Sequence, residues 1–172
     1  MRGLNEAMRL PVSNAGRARE LSDLLATSQD QPVPGKVPPI IVVVDDSSTI
    51  RVFFERVTHD LDVRLHTFAS VAESLPYLAT IKPDLLFLDI LMPDKDGLTF
   101  LEELRNRPDH ATTPVVVISS KDYAQDRALA RSLGVLEYVT KPMSTRTIRD
   151  LILRLLPDST ASLPAAGAPS AL

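Results

Sequence analysis

Four short strand-like runs in this 172-residue chain are followed directly by residues able to do ionic chemistry. Asp45 and Asp46 follow Ile40–Val44, and Asp89 follows Leu85–Leu88. Ser119 and Ser120 follow Val115–Ile118, and Lys141 and Pro142 follow Glu137–Thr140. Carboxylates crowded together repel one another, and a hard divalent cation such as Mg²⁺ relieves that repulsion. A lysine and a serine hydroxyl supply what an incoming phosphoryl group needs, a point charge and a donor to its oxygens. A carboxylate within reach of that group can act as the nucleophile and become an acyl phosphate. The chain has no cysteine, which excludes disulfide scaffolds, thiolate metal sites and cysteine nucleophiles.

For these residues to meet, the runs between them must form one sheet. Ile40–Val44 is a continuous β-branched run and reads as a strand buried on both faces. Ile50, Phe53, Phe54, Val57 and Leu61 then recur at helical spacing. Val63–Phe68 is a second strand, and Ser70 with Glu73 forms a capping box that opens a second helix, which Pro76 should kink or shorten. Leu85–Leu88 is the third strand, followed by a helix carrying Leu98, Leu101 and Leu104. After the fourth strand, Val115–Ile118, Asp122 reads as the cap of a helix running to Leu133, with Gly134 as its C′ residue. Glu137–Thr140 is the fifth strand, and Ser144 starts a last helix with Ile148, Leu151, Ile152 and Leu155, stopped by Pro157. Strand–helix alternation of this kind predicts an α/β fold, a doubly wound parallel sheet with helices on both faces. In such sheets ligands bind beyond the carboxyl ends of the strands, where the singled-out residues stand.

The block LFLDILMPDKDG, with VVVDDSSTIR upstream and VVVISSKD and YVTKPM downstream, resembles the receiver domain of two-component response regulators. The likeness covers about residues 38–156, and its elements agree in order and spacing. Asp46 to Asp89 is 43 residues, Asp89 to Ser119 is 30, and Ser119 to Lys141 is 22. The resemblance implies a flavodoxin-like, five-stranded parallel sheet of order 2-1-3-4-5. It implies Asp89 as phosphoacceptor, with Asp45, Asp46, Asp89 and the backbone carbonyl of Leu91 around Mg²⁺ (or Mn²⁺). It implies Ser119 binding a phosphate oxygen, Lys141 holding the phosphate charge, Tyr138 at the switch-aromatic position, and a cis Lys141–Pro142 bond. The implied donor is a histidine kinase or a histidine phosphotransfer protein. Self-phosphorylation and self-dephosphorylation are then the chain's only chemistry; it is a signalling phosphoacceptor and not an enzyme.

Each residue also has an ordinary structural role open to it. An Asp-Asp pair before Ser-Ser suits a turn and helix cap. Asp89 could cap a strand end, Lys141 could be a solvated charge, and Tyr138 a plain strand aromatic. Chemistry alone does not separate Ser119 from Ser120; the spacing favours Ser119. Asp94, Asp96, Gly97 and Glu103 imitate a Ca²⁺-binding loop, but Met92 and Pro93 occupy its first positions, so that reading fails. Leu91 and Lys121, two residues beyond Asp89 and Ser119, are an unusual pair at positions that influence acyl-phosphate lifetime in the family.

The eight aromatics all fall within 40–156, whereas eight of the fourteen prolines lie outside it. The expected organisation is therefore an N-terminal extension 1–39, mostly disordered with a short helix at 16–28, a receiver domain 40–156, and a disordered Ala/Pro-rich tail 157–172. The helical spacing of Ala18, Leu21, Leu24 and Leu25 suits either a transient helix or a docking helix. A net charge of −3 argues against direct nucleic-acid binding, and no apolar run is long enough for a signal peptide or membrane insertion. The expectation is a soluble cytoplasmic protein, monomeric or dimerising on phosphorylation, that signals to a downstream protein target. The reading surface would include Tyr123, Arg127, Arg131 and Thr140. Two other readings stay open: a phosphate sink, and a protein-docking module that is not phosphorylated.

Overall fold

The computed structural model describes residues 37–159. Five strands form the sheet: β1 (Ile40–Val44), β2 (Arg64–Phe68), β3 (Leu85–Asp89), β4 (Val115–Ser119) and β5 (Glu137–Thr140). All pairings are parallel and the order is β2-β1-β3-β4-β5, as the resemblance implies. The helices are α1 (Ser48–Thr58), α2 (Val71–Leu78), α3 (Gly97–Arg105), α4 (Ala124–Ser132) and α5 (Thr145–Leu155).

The double winding follows from the period of two along the buried strands, which sends successive side chains to opposite faces. Ile41, Val43, Leu85, Phe87, Val116 and Ile118 pack with Phe54, Val57 and Leu61 from α1 and its end, and with Ile148, Leu151 and Ile152 of α5. Their neighbours Val42, Val44, Leu86, Leu88 and Val115 face the other way, onto Val71 and Leu78 of α2 and Phe100, Leu101 and Leu104 of α3. Ile90, Leu98 and Val117 meet Ala130 of α4 on that second face. The continuous apolar runs of β1, β3 and β4 are thus explained by cover on both sides.

Several local expectations change in detail. The second strand starts at Arg64, one residue after Val63, and the third and fourth extend by one, so Asp89 and Ser119 are the last paired residues of β3 and β4. Ser70 caps α2 by accepting the Glu73 N–H at 3.1 Å, but Glu73 returns its bond to the N–H of Ala69 at 2.7 Å. Pro76 lies inside α2, the shortest of the five helices. Gly134 takes φ +70° and its N–H reaches Arg131 O while the Val135 N–H reaches Ala130 O, a Schellman ending. The Lys141–Pro142 bond is cis.

Two expectations are corrected. Asp122 does not cap the fourth helix: Tyr123 is the N-cap residue, without a side-chain bond, and the Asp122 carboxylate accepts from Arg127 instead. A guanidinium one turn into the helix competes for that carboxylate with the helix N–H groups. The ordered fold also does not stop at Leu156. Pro157–Ser159 forms a 3₁₀ turn, with Ser159 buried and its carbonyl accepting the Asp62 N–H. The expected helix at 16–28, the rest of the extension before Val37, and the tail from residue 160 lie outside the described residues.

Candidate functional site

The strand ends bring the singled-out residues to one edge of the sheet. Val44 is paired with both Phe68 and Leu88, which sets the Asp45-Asp46 loop beside the end of β3. Asp89 pairs with Ile118, and Ser119 pairs with Thr140, whose successor Lys141 donates its N–H to Ser119 O at 2.8 Å. One carboxylate oxygen from each of Asp45, Asp46 and Asp89 lies within 4.8 Å of the others. Asp45 and Asp89 are buried, at 0% and 2% exposure, whereas Asp46 is exposed.

Lys141 joins the two buried carboxylates. Its Nζ donates to Asp45 Oδ2 at 2.8 Å and to Asp89 Oδ2 at 2.6 Å. The other oxygens accept backbone N–H groups: Asp45 Oδ1 from Ser47 at 2.9 Å, and Asp89 Oδ1 from Leu91 at 3.0 Å. Burial pushes the Asp45 carboxyl above its ordinary range, although the Lys141 ammonium and the Ser47 N–H pull against it. Burial alone would lower the Lys141 ammonium, but hydrogen bonds and charge from Asp45 and Asp89 outweigh it and hold Lys141 above its ordinary range. One ammonium against three carboxylates still leaves a surplus of negative charge. An all-oxygen donor set with that surplus fits a hard divalent cation.

Ser119 is fully buried and Ser120 exposed, which separates the two serines that chemistry alone left equivalent. Ser119 Oγ accepts the Lys121 N–H at 3.0 Å. The carbonyl of the same Lys121 accepts from the Tyr138 hydroxyl at 3.0 Å, so Ser119 and Tyr138 meet on one residue's backbone. Tyr138 packs against the cluster formed by Ile90, Leu98, Val117 and Ala130, and the Arg127 guanidinium lies over its ring, 4.5 Å from the centroid. Arg127 in turn pairs with Asp122, which holds that carboxyl below its usual range. Leu91 contributes its N–H to Asp89, and its side chain is exposed.

The acids of the abandoned Ca²⁺-loop reading disperse. Asp94 accepts the Val71 N–H, Asp96 caps α3 through the Thr99 N–H, and Glu103 pairs with Lys95. Two residues to which the sequence reading gave no role at this site serve it: Gly97, noted there only in the rejected Ca²⁺ loop, and Arg51. A Cβ on Gly97 would lie 2.1 Å from the Asp89 carbonyl oxygen and 2.7 Å from Ile90 Cα, so α3 can begin there only with glycine. The Asp96-Gly97 dipeptide was the available signal. Arg51 of α1 donates from Nη1 to the carbonyls of Asp45 (2.8 Å) and Asp46 (3.0 Å).

The sequence model of the response regulator receiver domain matches residues 41–153. The chain belongs to that family. Protein PilG of Pseudomonas aeruginosa is 32% identical to this receiver over 120 residues, 70% of this chain and 89% of that protein. The cyclic di-GMP phosphodiesterase response regulator RpfG of Xanthomonas campestris is 31% identical over 118 residues, 67% of this chain but only 31% of that longer protein. Among solved structures, chemotaxis protein CheY4 of Vibrio cholerae superposes with a TM-score of 0.64 at 22% identity, over 69% of this chain and 99% of its own. That likeness shows the fold. Receiver domains act in two-component signalling as phosphoacceptors rather than as classical enzymes, interact with histidine kinases, and generally bind Mg²⁺ at an aspartate cluster such as this one. No helix among the described residues is long and apolar enough to cross a membrane.

Proposed function

We propose that this receiver takes a phosphoryl group onto Asp89 from a phosphohistidine of a kinase or phosphotransfer protein, and signals by changing its affinity for a protein target. Lys141 carries this reading: its ammonium bridges Asp89 and Asp45 at 2.6 and 2.8 Å at the carboxyl edge of the sheet. In the transfer a carboxylate oxygen of Asp89 forms the new O–P bond while the N–P bond of the donor breaks, and the departing imidazole takes a proton from water. Lys141 then has the new phosphoryl oxygens as partners, and the Ser119 hydroxyl has one within the reach of a small side-chain movement. Asp45, Asp46, Asp89 and the Leu91 carbonyl are the residues that would hold Mg²⁺ or Mn²⁺. Such a cation supplies charge neutralisation of the phosphoryl oxygens as the nucleophile approaches. Tyr138, sharing the Lys121 backbone with Ser119, is the route from phosphate to the surface of α4, β5 and α5.

Incubation with a small acyl phosphate and Mg²⁺, followed by intact mass measurement, tests the acceptor. The expected result is a gain of one phosphoryl group, absent in Asp89→Asn and absent when chelator replaces Mg²⁺. Full labelling of Asp89→Asn overturns the assignment, and an unlabelled wild-type protein favours a docking module that is not phosphorylated.

A further inference from the structure

Asp46 is the one carboxylate of the cluster that is exposed, and among the described contacts its side chain makes no hydrogen bond. Asp45 is steered by Lys141 and the Ser47 N–H, and Asp89 by Lys141 and the Leu91 N–H. The backbone of Asp46 therefore sets its Cα–Cβ direction, from which the carboxylate reaches the cluster through staggered rotamers. The Ser47 N–H on Asp45 Oδ1 already holds one edge of the 46–47 peptide. Both peptide planes flanking the Asp46 Cα lie beyond Val44, the last paired residue of β1, where the sheet ladder no longer holds them. Each plane presents a carbonyl, that of Asp45 on one side and that of Asp46 on the other. A single nitrogen, Arg51 Nη1, donates to both, at 2.8 and 3.0 Å. Arg51 itself is half-buried on α1, whose start is tied to the same loop by the Ile50 and Arg51 N–H groups on Ser47 O. Fixing two adjacent peptide planes fixes φ and ψ of the residue between them.

We propose that Arg51 is a positioning residue for the cation site: by clamping the two peptide planes around Asp46 it pre-aims the exposed carboxylate at Asp45 and Asp89. The proposal rests on the Mg²⁺ reading above, and it fixes the sign of a mutational effect. A guanidinium acting only through space would oppose a bound cation, so its removal would tighten Mg²⁺ binding. A guanidinium acting through the backbone favours binding, so its removal weakens it. Groups that orient metal ligands from behind typically change affinity by about 10-fold or more when removed.

Calorimetric titration of Mg²⁺ into the metal-free full chain reads this directly. Arg51→Ala should raise the Mg²⁺ dissociation constant about 10-fold. Arg51→Lys, which keeps a cationic donor within reach of the loop, should recover part of the loss. The melting temperature in chelator accompanies each titration, so that affinity is read on folded protein; if Arg51→Ala does not fold, the shorter neutral Arg51→Gln takes its place with the same expected weakening. Unchanged or tighter binding in Arg51→Ala or Arg51→Gln overturns the proposal, as does Arg51→Lys binding no better than the neutral variant. A wild-type chain that binds no Mg²⁺ overturns the metal reading itself, which is a separate failure.

Discussion

Lys141 and Asp45 show how one buried pair divides its work. For Lys141, the two carboxylates win over burial, so its folded value lies above the ordinary 10.5. Its contribution to stability is present below that ordinary value and is lost as pH rises through the higher folded one. Asp45 is raised above 3.8 by burial, so its contribution is present below that value and is lost as pH rises through its folded value. The Lys141 ammonium limits how far burial raises Asp45, so each member of the pair moderates the cost of burying the other. Tyr138 holds a different position: its hydroxyl donates to the Lys121 carbonyl, and the Lys121 N–H donates to Ser119 Oγ, so it reaches Ser119 through that one residue's backbone. Removing the ring should leave phosphoryl uptake intact while shrinking the phosphorylation-dependent gain in target affinity. In Tyr138→Ala that loss is expected at about 1–3 kcal/mol, the usual size of such couplings. Binding of both forms of the variant to the wild-type protein's target measures it, and an undiminished gain would make Tyr138 a plain core aromatic.

At the scale of elements, the site depends on how closely α3 starts beside the end of β3. The Gly97 N–H donates to Ile90 O at 3.1 Å, and any Cβ there meets the carbonyl of Asp89 itself. Gly97→Ala must push β3 and α3 apart or twist the Asp89 peptide. The expected cost is about 1–3 kcal/mol, as for other overpacked sites, together with slower phosphoryl uptake from a small acyl phosphate. Chemical denaturation and the rate of mass gain check both halves, and wild-type values in both would show that α3 can retreat freely. The caps of the other helices follow their local chemistry. Ser70 and Ser144 each accept an N–H three residues on, whereas Asp122, given a choice, takes the Arg127 guanidinium. A charged donor outcompetes a neutral amide for a carboxylate.

Across the whole molecule, the two apolar faces of the sheet are held by α1 and α5 on one side and α2, α3 and α4 on the other, and the carboxylate surplus collects at one edge. The scaffold thus stabilises a site that is electrostatically unfavourable when metal-free. Mg²⁺ at about 100 times its dissociation constant should stabilise the fold by about 2.7 kcal/mol. For a domain of this size that is a rise in melting temperature of roughly 10 °C. Asp46→Asn should abolish most of that rise and leave the melting temperature in chelator unchanged or higher, since it removes a repelling charge without removing a hydrogen bond. A variant melting well below wild type in chelator would instead assign Asp46 to the turn.

The sequence by itself determined the sheet, its winding and the four positions that converge, because burial on two faces imposes a periodic pattern that each segment carries locally. Ile40–Val44 reads as a doubly buried strand without knowledge of its neighbours, and the residue after such a strand must emerge at the carboxyl edge. Spacing alone singled out Ser119 over Ser120, and only the structure shows that Ser119 is the last, buried member of the β4 ladder while Ser120 is exposed. The hold of Arg51 on the Asp45-Asp46 loop, the glycine requirement at residue 97, the capture of Asp122 by Arg127 and the turn that buries Ser159 were decided by tertiary structure alone. Each is a meeting of two particular groups, and polar side chains accept many partners of similar strength. Which partner wins depends on angstrom-scale distances that only the packed sheet and helices define.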